Sequence, residues 1–143
     1  MSLLFHWRGE NYRADAKHGF AFHLNQNSPA MLKAKPRDRI WAFTRREDGL
    51  YVLAVSGAVE KVLHNAPGFR YGAYRVRLDP ENTQYFDVER GLDVEPVIRS
   101  LSIKAGSKVL GRSFQGHRGV REISESDDQK LRDFAEKLQS YAV

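Results

Sequence analysis

The stretch Lys35–Glu60 constrains the chain most. It reads Lys-Pro-Arg-Asp-Arg-Ile-Trp-Ala-Phe-Thr-Arg-Arg-Glu-Asp-Gly-Leu-Tyr-Val-Leu-Ala-Val-Ser-Gly-Ala-Val-Glu. Asp48-Gly49 is a turn signal, because glycine tolerates positive φ and aspartate can accept from its own backbone. A strand precedes it and a longer strand follows. Alternation puts Ile40, Ala42 and Thr44 on one face of the first strand and Trp41, Phe43 and Arg45 on the other. After the turn, Leu50–Val55 is nearly continuous apolar sequence, as expected of a strand buried on both faces. Gly57 interrupts that run and predicts a bulge or bend of the kind that closes a small barrel.

The rest of the chain must fit round this hairpin. With 143 residues, 41% of them hydrophobic and 29% charged, it suits one domain spanning 1–143 with its own core. No apolar run approaches the ~20 residues that cross a bilayer, and the start lacks the pattern of a secretory signal. The absence of cysteine excludes disulfides, thiol catalysis and Cys-ligated zinc, and fits the cytoplasm. A net charge of +5 suits either plain solubility or a polyanionic partner.

Leu3–Trp7 predicts a first strand and Arg8–Gly19 a loop. Phe20–Leu24 predicts a second strand with Phe20, Phe22 and Leu24 on one face. Asn27 or Ser28 can cap a short helix over Pro29–Lys35, with proline at its first position. Phe69–Leu78 and Thr83–Val88 are β-prone, and Gly119–Ile123 predicts a last strand. Val94, Val97, Ile98 and Leu101 have helical spacing. Near the end, Ser126 with Gln129 spells a capping box, and Asp127 and Asp128 suit the helix dipole. Leu131, Phe134, Ala135, Leu138 and Ala142 form the apolar stripe of that helix. Short strands with few helices predict an α+β fold, a mixed β-barrel with helices packed at its ends.

Several motifs fail on inspection. Gly106-Ser-Lys-Val-Leu-Gly-Arg-Ser113 nearly spells a phosphate-binding loop, but Arg112 stands where lysine belongs and the flanking elements are wrong. Gly111–Gly116 is one residue too long for a nucleophile elbow, and no histidine–acid pair is placed to activate Ser113. The five histidines include no His-Glu-x-x-His pair; His6 and His23 lie on different candidate strands and read as structural. Carboxylates are scattered over turns and the last helix. No catalytic residue, metal site or cofactor is therefore assigned.

The stronger signal is arginine interleaved with aromatics. Trp41 and Phe43 precede Arg45 and Arg46; Phe69–Arg77 repeats that texture around Arg70, Tyr71 and Tyr74. Lys104, Lys108, Arg112, Phe114, Gln115, His117, Arg118 and Arg121 make a third patch. Guanidinium forks suit phosphate, and aromatic faces stack on bases for ~1–3 kcal/mol each. An unstacked base also needs polar groups to read its edge. Asn25, Ser28, Gln115 and His117 are of that type. Any one of these aromatics is more simply a core residue. The three patches together favour nucleic acid, with Arg45, Arg46, Arg70, Lys104, Lys108, Arg112 and Arg118 on phosphate.

The run Asn25-x-Asn-Ser-Pro-x-Met31-x-Lys-x-Lys-Pro-Arg-Asp38-Arg-Ile-Trp-Ala-Phe, followed by Leu53-Ala-Val-Ser-Gly-Ala-Val, resembles the front half of a PUA-like domain, closest to the EVE and ASCH branches. Arg37 stands where the family has glycine, and Trp7 is the one tryptophan at an opening that is usually tryptophan-rich. Arg99–His117 is similar to specificity modules joined to HNH-type nucleases in bacteria. The resemblance implies a pseudo-barrel whose cleft holds a flipped, modified base in an aromatic cage. It places Asn25, Ser28, Trp41 and Phe43 in that cleft; Tyr71, Tyr74 and Phe114 are our additions to the cage. The expected role is a non-catalytic reader of a modified base, in DNA more than RNA, partnered by a nuclease. The alternatives are an ASCH-type RNA-binding or nucleoside-processing domain, using Lys33, Lys35 or Asp38, and a protein-interaction module.

Overall fold

The structure, a computed structural model, describes residues 1–115 and 119–140. In chain order its regular elements are β1 (Ser2–Trp7), α1 (Gly9–His18), β2 (His23–Gln26), β3 (Arg39–Arg45), β4 (Tyr51–His64), β5 (Tyr74–Leu78), β6 (Gln84–Tyr85), α2 (Glu95–Arg99), β7 (Val120–Ile123) and α3 (Glu125–Ala135). The fold is α+β. The strands form one mixed sheet in the order β2-β5-β4-β3-β1-β7, with β6 on β4. β1 runs parallel to β3, and the other pairings are antiparallel. The end strands β2 and β7 do not meet, so the sheet is open rather than a closed barrel.

The hairpin forms where the residues place it. Gly49 takes φ 89°, and the Leu50 N–H donates to Asp48 Oδ1 at 3.1 Å. Both faces of β3 are buried, each in its own core. Ile40 and Ala42 join Leu3, Phe5, Leu24 and Val76 on one side; Trp41 and Phe43 join Leu4, Ile98, Leu110 and Leu131 on the other.

Gly57 does not break β4. The irregularities fall on either side of it, where the register slips opposite Ala42/Phe43 and again between Val59 and Lys61. Residues 51–58 pair with β3 and residues 59–64 with β5, so the second bulge lies just past the point where one long strand changes partner. Gly57 is needed for closeness instead: a Cβ there would lie 2.8 Å from Leu78 Cδ2 and 3.3 Å from Ile40 Cγ2.

Other expectations need correction. Arg8–Gly19 is largely helix, α1, not loop. Its sequence is polar, its N-cap Arg8 makes no side-chain cap, and only Tyr12 is buried. Tertiary contact stabilises it, since Tyr12 stands edge-on to Trp7 at 5.1 Å. The second strand starts at His23, because Phe22 turns into a left-handed conformation with φ 53°. Phe20 then stacks on Tyr85 with ring centroids 4.3 Å apart. The helix after Ser28 is a single 3-10 turn over Pro29–Lys33, capped as expected by Ser28 Oγ. The fifth strand begins only at Tyr74.

The last helix begins earlier than its capping box suggests. Ser124, not Ser126, is the N-cap and accepts from the Asp127 N–H at 3.0 Å. Leu131, Phe134, Ala135 and Leu138 dock on the second core as the stripe predicts; Ala142 lies outside the described residues. The early start turns Asp127 and Asp128 inward. Asp127 accepts from Ser102 N–H and Oγ. Asp128 accepts from Ser2 Oγ at 2.8 Å, from Trp41 Nε1 at 2.7 Å and from Arg132.

Two stability changes follow. Trp41→Phe leaves the buried Asp128 carboxylate short of one donor, and should lower the unfolding free energy by about 1–3 kcal/mol in urea titration. Arg37 is exposed at φ 77°, a conformation that costs an L-residue about 1–2 kcal/mol. Arg37→Gly should therefore raise stability, by up to about 1 kcal/mol after glycine's own entropy cost.

Candidate functional site

A cleft of about 730 Å³ opens where the C-terminal end of β1, the first turns of α1, the end of β2 and the segment before β7 converge. That volume is typical of small-ligand pockets. Its back wall carries Phe5, His6, Trp7 and Tyr51. Tyr51 anchors the facing segment, because its Oη accepts from the Gly111 N–H at 3.1 Å. Gly111 is tightly placed: a Cβ there would lie 2.8 Å from the His6 ring. Phe114 closes that side and stands edge-on to Phe43 at 5.0 Å.

The opposite wall is the β2 end, Asn25 to Ser28, with the loop 65–73 folded onto it. That loop is clamped by backbone and amides. Asn65 Nδ2 donates to Gly72 O at 2.9 Å, and the Ala73 N–H donates to Asn27 Oδ1 at 2.9 Å. Gly72 has φ 131°, and a Cβ on it would fall 2.5 Å from the Gln26 carbonyl carbon, so only glycine permits the approach. The clamp brings Arg70 and the exposed ring of Tyr71 to the cleft, with the guanidinium carbon 5.6 Å from the ring centre.

The walls are strongly biased in charge. Arg8, Arg45, Arg70 and Arg112 line the cleft against one carboxylate, Asp15, whose pKa is pushed up by burial. Among the described residues Arg45, Arg70 and Arg112 make no ion pair, while Arg8 meets Glu10 at 2.8 Å on the outer surface. Arg45 lies over the Tyr51 ring at 5.5 Å. Such a wall concentrates positive potential inside a low-dielectric recess.

The residues singled out in the sequence divide into three groups. Asn25, Ser28, Tyr71, Phe114 and Gln115 line the cleft, with Arg45, Arg70 and Arg112. Trp41, Phe43, Tyr74, Arg46, Lys104 and Lys108 do not. Trp41 and Phe43 are 2% and 0% exposed, so neither can cage a base; they are core, and Trp41 serves Asp128. Tyr74 packs on the first core and edge-on to His64. Arg46 braces the hairpin turn, donating to Asp48 and to the carbonyls of Val88, Glu89 and Gly91. Its guanidinium holds the Asp48 carboxyl down to about 2. Lys104 and Lys108 are exposed away from the cleft. His117 and Arg118 lie outside the described residues. Lys33, Lys35 and Asp38 are also off the cleft; Asp38 accepts from the Lys35 N–H at 2.8 Å and ties down the Met1 amine. Among the described residues no three His, Asp or Glu side chains gather as a metal site, and no helix is long and apolar enough to cross a membrane.

Sequence reasoning missed Arg8, Asn27 and Tyr51, and above all His6. The alternation of β1 puts His6 in phase with Leu4, on the second-core face. Its neighbour there, Phe43, is its register partner across the parallel β1–β3 pair, with rings stacked at 5.0 Å. That pairing has no local signal. Burial, reinforced by the charges of Arg8 and Arg45, lowers the His6 pKa from 6.5 to about 4, and its Nε2 has no partner among the described residues. The imidazole is thus neutral at pH 7.

No family model and no curated protein matches the chain.

Below pH 6.5 the unfolded chain takes up a proton that native His6 refuses, so stability should fall as pH drops from 6.5 towards 4. Urea titrations of wild type and His6→Gln should diverge by about 2 kcal/mol between pH 7 and pH 5, wild type losing more.

Proposed function

We propose that the chain is a non-catalytic nucleic-acid-binding domain whose cleft receives one unstacked base while the arginines at its walls hold the flanking phosphates. The observation that carries this reading is the pairing of donor-only guanidiniums with aromatic and amide groups around a recess of ligand size. Guanidinium forks match phosphate oxygens, and the exposed Tyr71 ring offers a stacking surface at the cleft wall. The aromatic contribution comes from Tyr71, with Phe114 in the wall, and not from the hairpin rings.

Two features support a PUA-like build. The long strand β4 pairs with both β3 and β5 and carries two register shifts, as a strand that turns a barrel corner does. Arg37, at the position where the family has glycine, takes the left-handed backbone that glycine favours. On this reading the domain is a specificity module that selects a modified base, in DNA rather than RNA, for a partner nuclease.

The test is fluorescence anisotropy with labelled DNA and RNA oligonucleotides across a salt series. Arg112→Gln should weaken binding to every sequence and reduce the log–log salt slope by about 1, whereas Lys104→Gln should change neither. A panel of oligonucleotides, each carrying one modified base, should bind more tightly than plain DNA. Equal binding across that panel would remove the modification claim, and flat titrations at low salt would remove nucleic acid altogether.

A further inference from the structure

The polarity of the β2 wall is fixed, and it specifies the ligand group that wall can take. Asn65 Nδ2 donates to Gly72 O at 2.9 Å. A backbone carbonyl only accepts, so that atom of Asn65 must be the nitrogen. The same nitrogen donates to Asn25 Oδ1 at 3.0 Å. Arg75 Nε, which can only donate, meets the same Asn25 atom at 3.3 Å. Asn25 therefore cannot flip, and both lone pairs of its oxygen are occupied. Asn27 is set the same way, since its Oδ1 accepts from the Ala73 N–H. Neither side-chain nitrogen has an acceptor among the described residues, and both residues line the cleft.

Asparagine usually reads adenine with both ends of its amide, accepting from the amine while donating to the ring nitrogen. Asn25 has no acceptor left for that. We infer that Asn25 and Asn27 are donor-only specificity residues, so the group recognised at this wall is a hydrogen-bond acceptor, a ring carbonyl of the base, and an exocyclic amine in its place is rejected. A carbonyl oxygen has two lone pairs and can satisfy an amide donor and a neighbouring guanidinium together. The guanidinium of Arg70 beside this wall is a donor as well, so an amine set against the two asparagine nitrogens would meet like groups. This inference rests on the nucleic-acid reading above.

The test uses short labelled DNA duplexes with one central base opposite an abasic site, so that each base leaves the stack with similar ease. Uracil is compared with cytosine, and hypoxanthine with adenine; each pair exchanges a carbonyl for an amine on the same ring atom. Wild type should bind the carbonyl member at least about fivefold more tightly, the scale expected when a donor is otherwise left unpaired. Asn25→Asp keeps an oxygen for Asn65 and Arg75, so it should fold, while the other side-chain position changes from donor to acceptor. It should abolish or invert the preference; a general weakening alike for all probes would reflect only the added charge and would overturn the inference. Asn27→Asp should reduce the preference in the same direction. Equal affinities within each pair, or a preference that survives Asn25→Asp, overturn the inference and leave the nucleic-acid reading standing. Failure of all four duplexes to bind at low salt overturns both.

Discussion

One carboxylate ties the two ends of the chain to its centre. Asp128, 6% exposed on α3, accepts from Ser2 on β1, from the Trp41 indole on β3 and from Arg132 on its own helix. Burial pushes its pKa up, but the donors from Arg132, Trp41 and Ser2 more than offset this, so the group stays ionised. A buried charge is tolerated only when paired and hydrogen-bonded. Its three donors thus fix where β1, β3 and α3 stand relative to each other. The parallel β1–β3 pair depends on that placement, and the cleft lies at its C-terminal end.

The cleft is assembled from segments far apart in sequence. β1 supplies His6, β3 Arg45 and β4 Tyr51; the β2 end, the loop 65–73 and the segment around Arg112 supply the rest. Some of the contacts that hold these segments do not use the cleft arginines. The Gly72 approach to Gln26 and the Tyr51–Gly111 bond are examples. Arg45, Arg70 and Arg112 consequently remain available for a ligand.

Much of the fold was legible because its signals are local. The hairpin, the two-faced burial of β4, the Ser28 cap and the docking stripe of α3 all follow from turn chemistry or periodicity. The failures have physical reasons. α1 has a polar sequence and no side-chain cap, so its tertiary contacts, through Tyr12 and Ala16 among others, decide it. Ser124 and Ser126 are both competent N-caps, and burial of the two aspartates decides between them. The family resemblance places Trp41 and Phe43 in a cleft, and alternation cannot correct it, because it tells which residues share a face and not what covers that face. Here α2, α3 and the segment around Leu110 cover it.

The order of residues alone determined the strand–turn–strand centre, a basic and cysteine-free surface, and a set of arginines and amides suited to an anionic, aromatic ligand. Those properties are local or additive, so they survive without coordinates. Only the tertiary structure decided which side chains meet. Long-range contacts buried the hairpin rings, drew a histidine from β1 to the cleft, and fixed which amide atom of two asparagines accepts. Hydrogen-bond partners fifty residues apart, such as Arg75 and Asn25, leave no trace in local pattern. The direction of an amide is settled by such partners and by nothing nearer.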